Sequence, residues 1–236
     1  MRLPPSTFAT LLLAIAVLLL GGCMSTPTRS TGSFVERNLE IAGETRRYQV
    51  FVPASAAGGR MPPVIVFLHG SGERGSDGAK QTLVGIGPYL RAHQDRFPAI
   101  VVFPQAPDET EWAGNADLVF ATLDAATREF HGDPDRTYLT GLSMGGYGTW
   151  DMAMRAPGRF AALAPVCGGV VHPRRPSMGV SGIAGAANPY AAVAARLKDT
   201  PVWQFHGALD DVVSPDYSRQ MDAALQAAGA RDARLT

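Results

Sequence analysis

The stretch that most constrains this chain is residues 137–150, TYLTGLSMGGYGTW. It contains Gly141-Leu142-Ser143-Met144-Gly145, a G-x-S-x-G pentapeptide between a strand-like apolar run and a helix-compatible segment. A serine on such a strand-to-helix turn is held in a strained backbone conformation. Its hydroxyl stands free at the carboxyl edge of a sheet, and the helix N-terminus beneath it favours developing negative charge. Gly141 and Gly145 fit a turn too sharp to admit side chains two positions either side of the serine. The pentapeptide alone is a weak signal, because an ordinary Gly-rich β–α turn with a capping serine has the same letters. Its meaning depends on the rest of the chain.

That rest is built for a parallel sheet. Residues 64–68 form a continuous apolar run, as do 100–103, 138–142, 160–166 and 202–205. Such runs suit strands covered on both faces. Helix-compatible segments lie between them, at about 81–95, 115–130, 144–156 and 189–197, with a last one at about 215–228 that has Ser214 as N-cap and Pro215 at its first position. A hairpin precedes them, residues 39–41 and 45–52 around a turn at Ala42-Gly43. Alternating β and α with short connections predicts an α/β doubly wound sheet. With 236 residues, 46% of them hydrophobic, the chain suits one globular domain with a sizeable core. The formal net charge of zero gives no reason to expect a nucleic-acid partner. One stretch, residues 168–187, is rich in Gly, Pro, Ser and Arg. It reads either as a flexible loop over the site or as a disordered surface insertion.

The N-terminus carries targeting information. Arg2 precedes an apolar run at residues 8–20, too short for a comfortable membrane span and suited to a signal-peptide core. It ends Leu20-Gly21-Gly22-Cys23, which resembles a bacterial lipobox. The expected organisation is therefore a lipoprotein signal peptide at 1–22, a lipidated Cys23 with a linker at 23–36, and one domain at 37–236. Met24, where Asp would be a retention signal, points to the outer membrane facing the periplasm. The membrane partner is then the lipid anchor. With Cys23 acylated, Cys167 has no disulfide partner and reads as a buried small hydrophobe at a strand end.

Gly70-Ser71-Gly72-Glu73-Arg74-Gly75 matches the dinucleotide-binding G-x-G-x-x-G after a strand. The next strand, however, runs into Pro104-Gln105-Ala106-Pro107 and not into the acidic residue that would hold a ribose. The glycines also follow His69 directly. A His-Gly-Ser-Gly loop after a strand turns backbone N–H groups inward, which is half of an oxyanion hole. Ser71 and Met144 are the expected donors. No organic cofactor is then required, and no His/Asp/Glu group has metal-ligand spacing. An acid is expected after the last clear strand. Asp210, just past Gly207, has the better spacing, and Asp211 is the alternative with a turn-capping role. His206 reads as structural. The general base should be a histidine downstream of Asp210, and residues 212–236 contain none. Of the five histidines, His69, His93, His131, His172 and His206, only His69 is placed near Ser143 by a motif, and its expected job is to shape the loop. Without a base the serine hydroxyl is a poor nucleophile.

Taken together, VIVFLHGSGERG, VVFPQAP, DRTYLTGLSMGGYGTWDMAMRAPGRFAALAPVCGG and PVWQFHGALDDVV resemble the serine esterase family. The related groups are dienelactone hydrolases, phospholipase/carboxylesterases and polyhydroxybutyrate depolymerase-like or feruloyl-esterase-like lipoproteins. The resemblance runs over residues 63–214. It implies an α/β-hydrolase fold with an antiparallel N-terminal hairpin. It also implies Ser143 as nucleophile, Asp210 as acid, Ser71 and Met144 as oxyanion donors, and a small-molecule ester as substrate. A further histidine after the next strand is implied and lacking, so the sequence reads as C-terminally truncated, with its last strand and helix missing. Trp112 and Tyr147 are expected either to line an acyl pocket or to pack in the core. The competing expectations are a catalytically inactive envelope binding protein, or a serine peptidase of the same fold.

Overall fold

The hairpin turn sets the sheet's first edge. Ala42 and Gly43 both take positive φ, 52° and 80°, the backbone of a type I′ turn whose twist matches two right-twisted strands. It joins β1 (Ser33–Ile41) to β2 (Glu44–Val52) in antiparallel register, Ile41 opposite Glu44. The computed structural model describes residues 31–59 and 61–236. The expected signal peptide, Cys23 and the start of the expected linker lie outside the described residues. β1 opens at Ser33, inside the stretch expected to be linker.

Six further strands follow: β3 (Pro63–Leu68), β4 (Ile100–Pro104), β5 (Asp133–Leu142), β6 (Ala162–Val166), β7 (Val202–Gln204) and β8 (Ala233–Leu235). Among the described residues they form one eight-stranded sheet in the order β1-β2-β4-β3-β5-β6-β7-β8. The pairs from β4 to β8 are parallel, and β2 pairs β4 antiparallel. The order reverses at β3, whose neighbours are β4 on one side and β5 on the other. Such a switch point opens a crevice at the carboxyl ends of the strands.

Among the described residues, five helices cross the sheet's faces: α1 (Ile86–Ala92), α2 (Ala116–Glu129), α3 (Met144–Arg155), α4 (Pro189–Leu197) and α5 (Asp216–Ala227). The expected helix at 81–95 is cut short. A 3-10 turn, Lys80–Thr82, stands before it, and Gly85 at φ 57° makes the break. Phe67 explains this, since its ring would lie 2.2 Å from a Cβ at Gly85. β5 begins five residues before the run expected at 138–142, because Asp133 pairs with Pro63 and its amide bonds to the Pro62 carbonyl at 2.8 Å.

The two sheet faces are unequally covered. On one, Val64, Val66, Leu139 and Leu163 join Leu123, Trp150, Val193 and Leu225 in the main core. On the other, Phe51, Phe67, Val101 and Phe103 pack against Leu90 of α1. Beyond α1 this second face is open among the described residues. A groove of about 430 Å³ runs along it past Ile65, Tyr138, Ala162, Ala164 and Trp203, and Trp203 is 47% exposed.

Candidate active site

The carboxyl edge of β5 lies between β3 and β6, with Gly141 opposite Leu68 and Leu142 opposite Val166. The chain turns sharply there. Ser143 has φ 53° and ψ −117° and is the N-cap of α3. A non-glycine residue in this region costs on the order of 1–3 kcal/mol and persists only when its surroundings over-determine it. The surroundings do so here. The Ser143 amide donates to the Val166 carbonyl at 2.9 Å, and the Ser143 carbonyl accepts from Gly146 and Tyr147 at 2.8 and 3.1 Å. Gly145 has no alternative, because a Cβ there would sit 1.9 Å from the Leu68 carbonyl oxygen. The Met144 amide occupies the first position of α3, where helical N–H groups have no intrahelical partner.

On the β3 side, Ser71–Glu73 forms a 3-10 turn after Gly70. Gly70 touches the elbow closely: a Cβ on it would meet Leu142 Cδ1 at 3.3 Å. His69 organises this loop. Its Nδ1–H donates to the Gly70 carbonyl at 2.6 Å, its Nε2 accepts from the Ala106 amide at 3.0 Å, and its carbonyl accepts from Trp112 Nε1 at 3.0 Å. Both ring nitrogens are therefore spent. Burial lowers the His69 pKa to about 4, and the ring is a loop brace and no base. Gln105, which the sequence reasoning missed, ties the same loop further out. Its Nε2 donates to the Glu73 carbonyl at 3.1 Å and its Oε1 accepts from the Gly78 amide at 2.7 Å.

On the far side, the loop after β7 carries Asp210. Asp210 Oδ1 accepts from the Val212 and Val213 amides at 3.0 and 2.9 Å. Its Oδ2 lies 3.7 Å from His206 Nε2. His206 itself donates from Nε2 to the Val213 carbonyl at 2.8 Å and accepts at Nδ1 from Ser218 at 2.7 Å, so it is a structural histidine. Asp211 is exposed. Asp210 is thus the fixed carboxylate of the two.

A cavity of about 310 Å³ opens at Ser143. It is lined by His172, Arg174, Arg175 and Met178 from one loop and by Val212 and Val213 from the other. The first loop is the Gly/Pro/Ser/Arg-rich stretch, and it is ordered. Met178, Val180 and Ile183 are buried. Asp151 of α3, itself fully buried, accepts the Ser181 amide at 2.5 Å and pairs with Arg155 at 2.7 Å, while Arg155 Nη2 donates to Ser181 Oγ at 2.6 Å. No motif marked His172. Its Nδ1 accepts from the Arg174 and Arg175 amides at 3.3 and 3.0 Å, which leaves the proton of the neutral ring on Nε2. Burial, and then the two arginines, lower its pKa. A neutral ring in this tautomer is a donor, unsuited to taking the serine proton. Among the described residues no histidine nitrogen bonds the Ser143 hydroxyl.

Of the two expectations for Trp112 and Tyr147, pocket lining or packing, their burial matches packing. Trp112 and Tyr147 are both buried in the main core and line no part of this cavity. Trp112 is held by its indole bond to His69 and lies edge-on to that ring at 4.8 Å. Tyr147, turned inward on α3, lies 5.7 Å from the His172 ring, and burial raises its pKa strongly. Cys167 sits at the end of β6 as expected, but it is half-buried and strained, with φ 40°. Among the described residues, no group of His, Cys, Asp and Glu could hold a metal ion.

No family model matches the chain. A thermostable esterase of known structure is 30% identical, with a TM-score of 0.69 over 86% of this chain and 54% of that one. The fluorophosphonate-binding serine hydrolase F of Staphylococcus aureus is 18% identical and shares the fold, with a TM-score of 0.66 over 88% of this chain and 90% of that one. The bifunctional acetylxylan esterase/xylanase XynS20E of Neocallimastix patriciarum is 25% identical over 183 residues, 73% of this chain and 22% of that protein. The chain thus spans about half of the first esterase and about a fifth of the second. Sheet order, the strained serine at the end of β5 and these likenesses agree: the chain has the α/β-hydrolase fold and is similar to esterases.

Proposed function

We propose that the protein cleaves carboxylic esters through an acyl-enzyme, with Ser143 as nucleophile. The observation that carries this reading is the backbone of Ser143, held at φ 53° at the carboxyl end of β5 and over the N-terminus of α3. In this reading the Ser143 oxygen attacks the ester carbonyl, and the alkoxide leaving group takes a proton as the acyl-enzyme forms. Water then releases the acid. The Ser71 and Met144 amides receive the tetrahedral oxyanion, each donor contributing about 3 kcal/mol of barrier lowering. Asp210, with Oδ1 committed to two amides, offers Oδ2 to orient a histidine base. His206 comes within 3.7 Å of that oxygen, but its ring nitrogens are engaged by Val213 and Ser218 and it bonds no group of Ser143. The reading extends to a lipid anchor on Cys23 that holds the domain at the bacterial cell envelope. No helix among the described residues is long and apolar enough to cross a membrane.

The test is covalent labelling of the native protein by a fluorophosphonate. Labelling is expected at Ser143 and lost in Ser143→Ala, with ester turnover falling on the order of 10⁶-fold. Turnover that survives this substitution sinks the mechanism. A second reading, a pocket that binds and does not cleave, is favoured by the engaged nitrogens of His69 and His206. It predicts an unlabelled Ser143.

A further inference from the structure

We propose that the cavity at Ser143 selects ligands that carry a carboxylate, held by Arg174 and Arg175; resting on the esterase reading, the substrates are esters with a second, free carboxyl group. The chain as a whole is neutral, yet the charge around this cavity is not. Arg174 and Arg175 both line it. Arg175 reaches one carboxylate, Glu111, at a loose 3.6 Å, and Glu111 is already paired with Arg74 at 2.9 Å. Arg174 makes no side-chain ion pair or hydrogen bond among the described residues. Two guanidinium groups, those of Arg74 and Arg175, thus share one carboxylate, and Arg174 pairs with none among the described residues. Asp210, the acid of the facing loop, spends Oδ1 on the amides of its own turn.

The cations are also presented on a fixed frame. His172 Nδ1 accepts the amides of both arginines, which sets the turn that carries them. The loop is nailed to α3 through Asp151, Arg155 and Ser181, and α3 begins at the nucleophile. An anchored loop spends little ordering entropy when its guanidinium groups close on an anion. A planar guanidinium matches a carboxylate with two parallel hydrogen bonds. His172 Nε2–H adds a neutral donor on the same wall. Met178, Val212 and Val213 supply the apolar remainder, suited to a short hydrocarbon spacer between the reacting ester and its charged end.

The experiment compares two uncleaved probes of similar size, succinamate and butyramide, by calorimetric titration of the intact chain. Succinamate is expected to bind roughly tenfold more tightly, the scale of one added charge-assisted contact pair. The double substitution R174Q/R175Q is expected to bring the two within about twofold of each other, while its melting temperature stays close to that of the parent because both residues are exposed. Equal binding of the two probes to the parent, or a preference that survives in the double variant, overturns the proposal. Turnover of monomethyl succinate and methyl butyrate, measured alongside, separates this site from the esterase reading. Selective binding without turnover keeps the site and removes the esterase. Turnover without selectivity does the reverse.

Discussion

At the scale of the residue, the site depends on side chains whose polar atoms are already spent. His69 is the clearest case. The folded state holds its ring neutral, with a pKa lowered to about 4 by burial, whereas the unfolded chain protonates near the ordinary 6.5. The ring therefore favours folding fully above about pH 6.5, and the advantage is lost as pH falls toward 4. The loss is on the order of 3 kcal/mol. Urea unfolding at pH 7.5, 5.5 and 4.5 checks this. The stability gap between the parent and H69Q should narrow as pH falls, and a constant gap rejects the account. Residue identities were legible in the sequence where backbone geometry imposes them. Ser143 needed the elbow and Gly145 the missing Cβ, and the Asp210 carboxylate is fixed by the amides of its own turn. Trp112 and Tyr147 were readable only as aromatics near a motif. Which way a helix face turns decides pocket or core, and for both it is core. His172 and Arg175 were invisible for the opposite reason, since a loop without periodicity gives no hint of what it leans over.

At the scale of the element, α3 does two jobs. Its first residue follows Ser143, and its second turn anchors the loop that walls the cavity, through Asp151. Asp151→Ala leaves Arg155 Nε and the Ser181 amide without their acceptor, while Arg155 Nη2 keeps Ala113 and Ser181 Oγ. A buried group left unsatisfied costs about 1–3 kcal/mol. The expected outcome is a stability loss of that size and faster hydrogen exchange in residues 170–183, with exchange in β3 to β6 unchanged. Uniform acceleration across the sheet would show that Asp151 supports the core and not the loop. The elements themselves were largely readable. Apolar runs became strands, and the segment at 189–197 became α4 without adjustment. Boundaries moved where a distant residue intervened: Phe67 forced Gly85 to break the helix before α1, and Pro62 recruited Asp133 into β5. The 168–187 stretch was expected to be a flexible loop over the site or a disordered insertion; it lies by the site, but the buried side chains of Met178, Val180 and Ile183 hold it in place.

At the scale of the whole molecule, the sheet is covered unevenly. The open face of β5 to β8 presents an apolar groove to water beside a half-exposed Trp203, stacked on Phe205 at 4.9 Å. Apolar area left in water favours association at about 25 cal/mol per Å² covered. Residues 31–236 are therefore expected to self-associate with rising concentration, and Trp203→Lys to weaken this, as read by sedimentation velocity. Concentration-independent sedimentation of the parent rejects the expectation. The same arrangement has an optical consequence. Of the three tryptophans, Trp112 and Trp150 are buried and Trp203 alone meets solvent. The red edge of the protein's emission then comes from the open face. Whatever covers that face, a second copy or another chain, will shift the emission to the blue and shield it from a dissolved quencher, so the molecule carries its own lamp at the place where it is least covered.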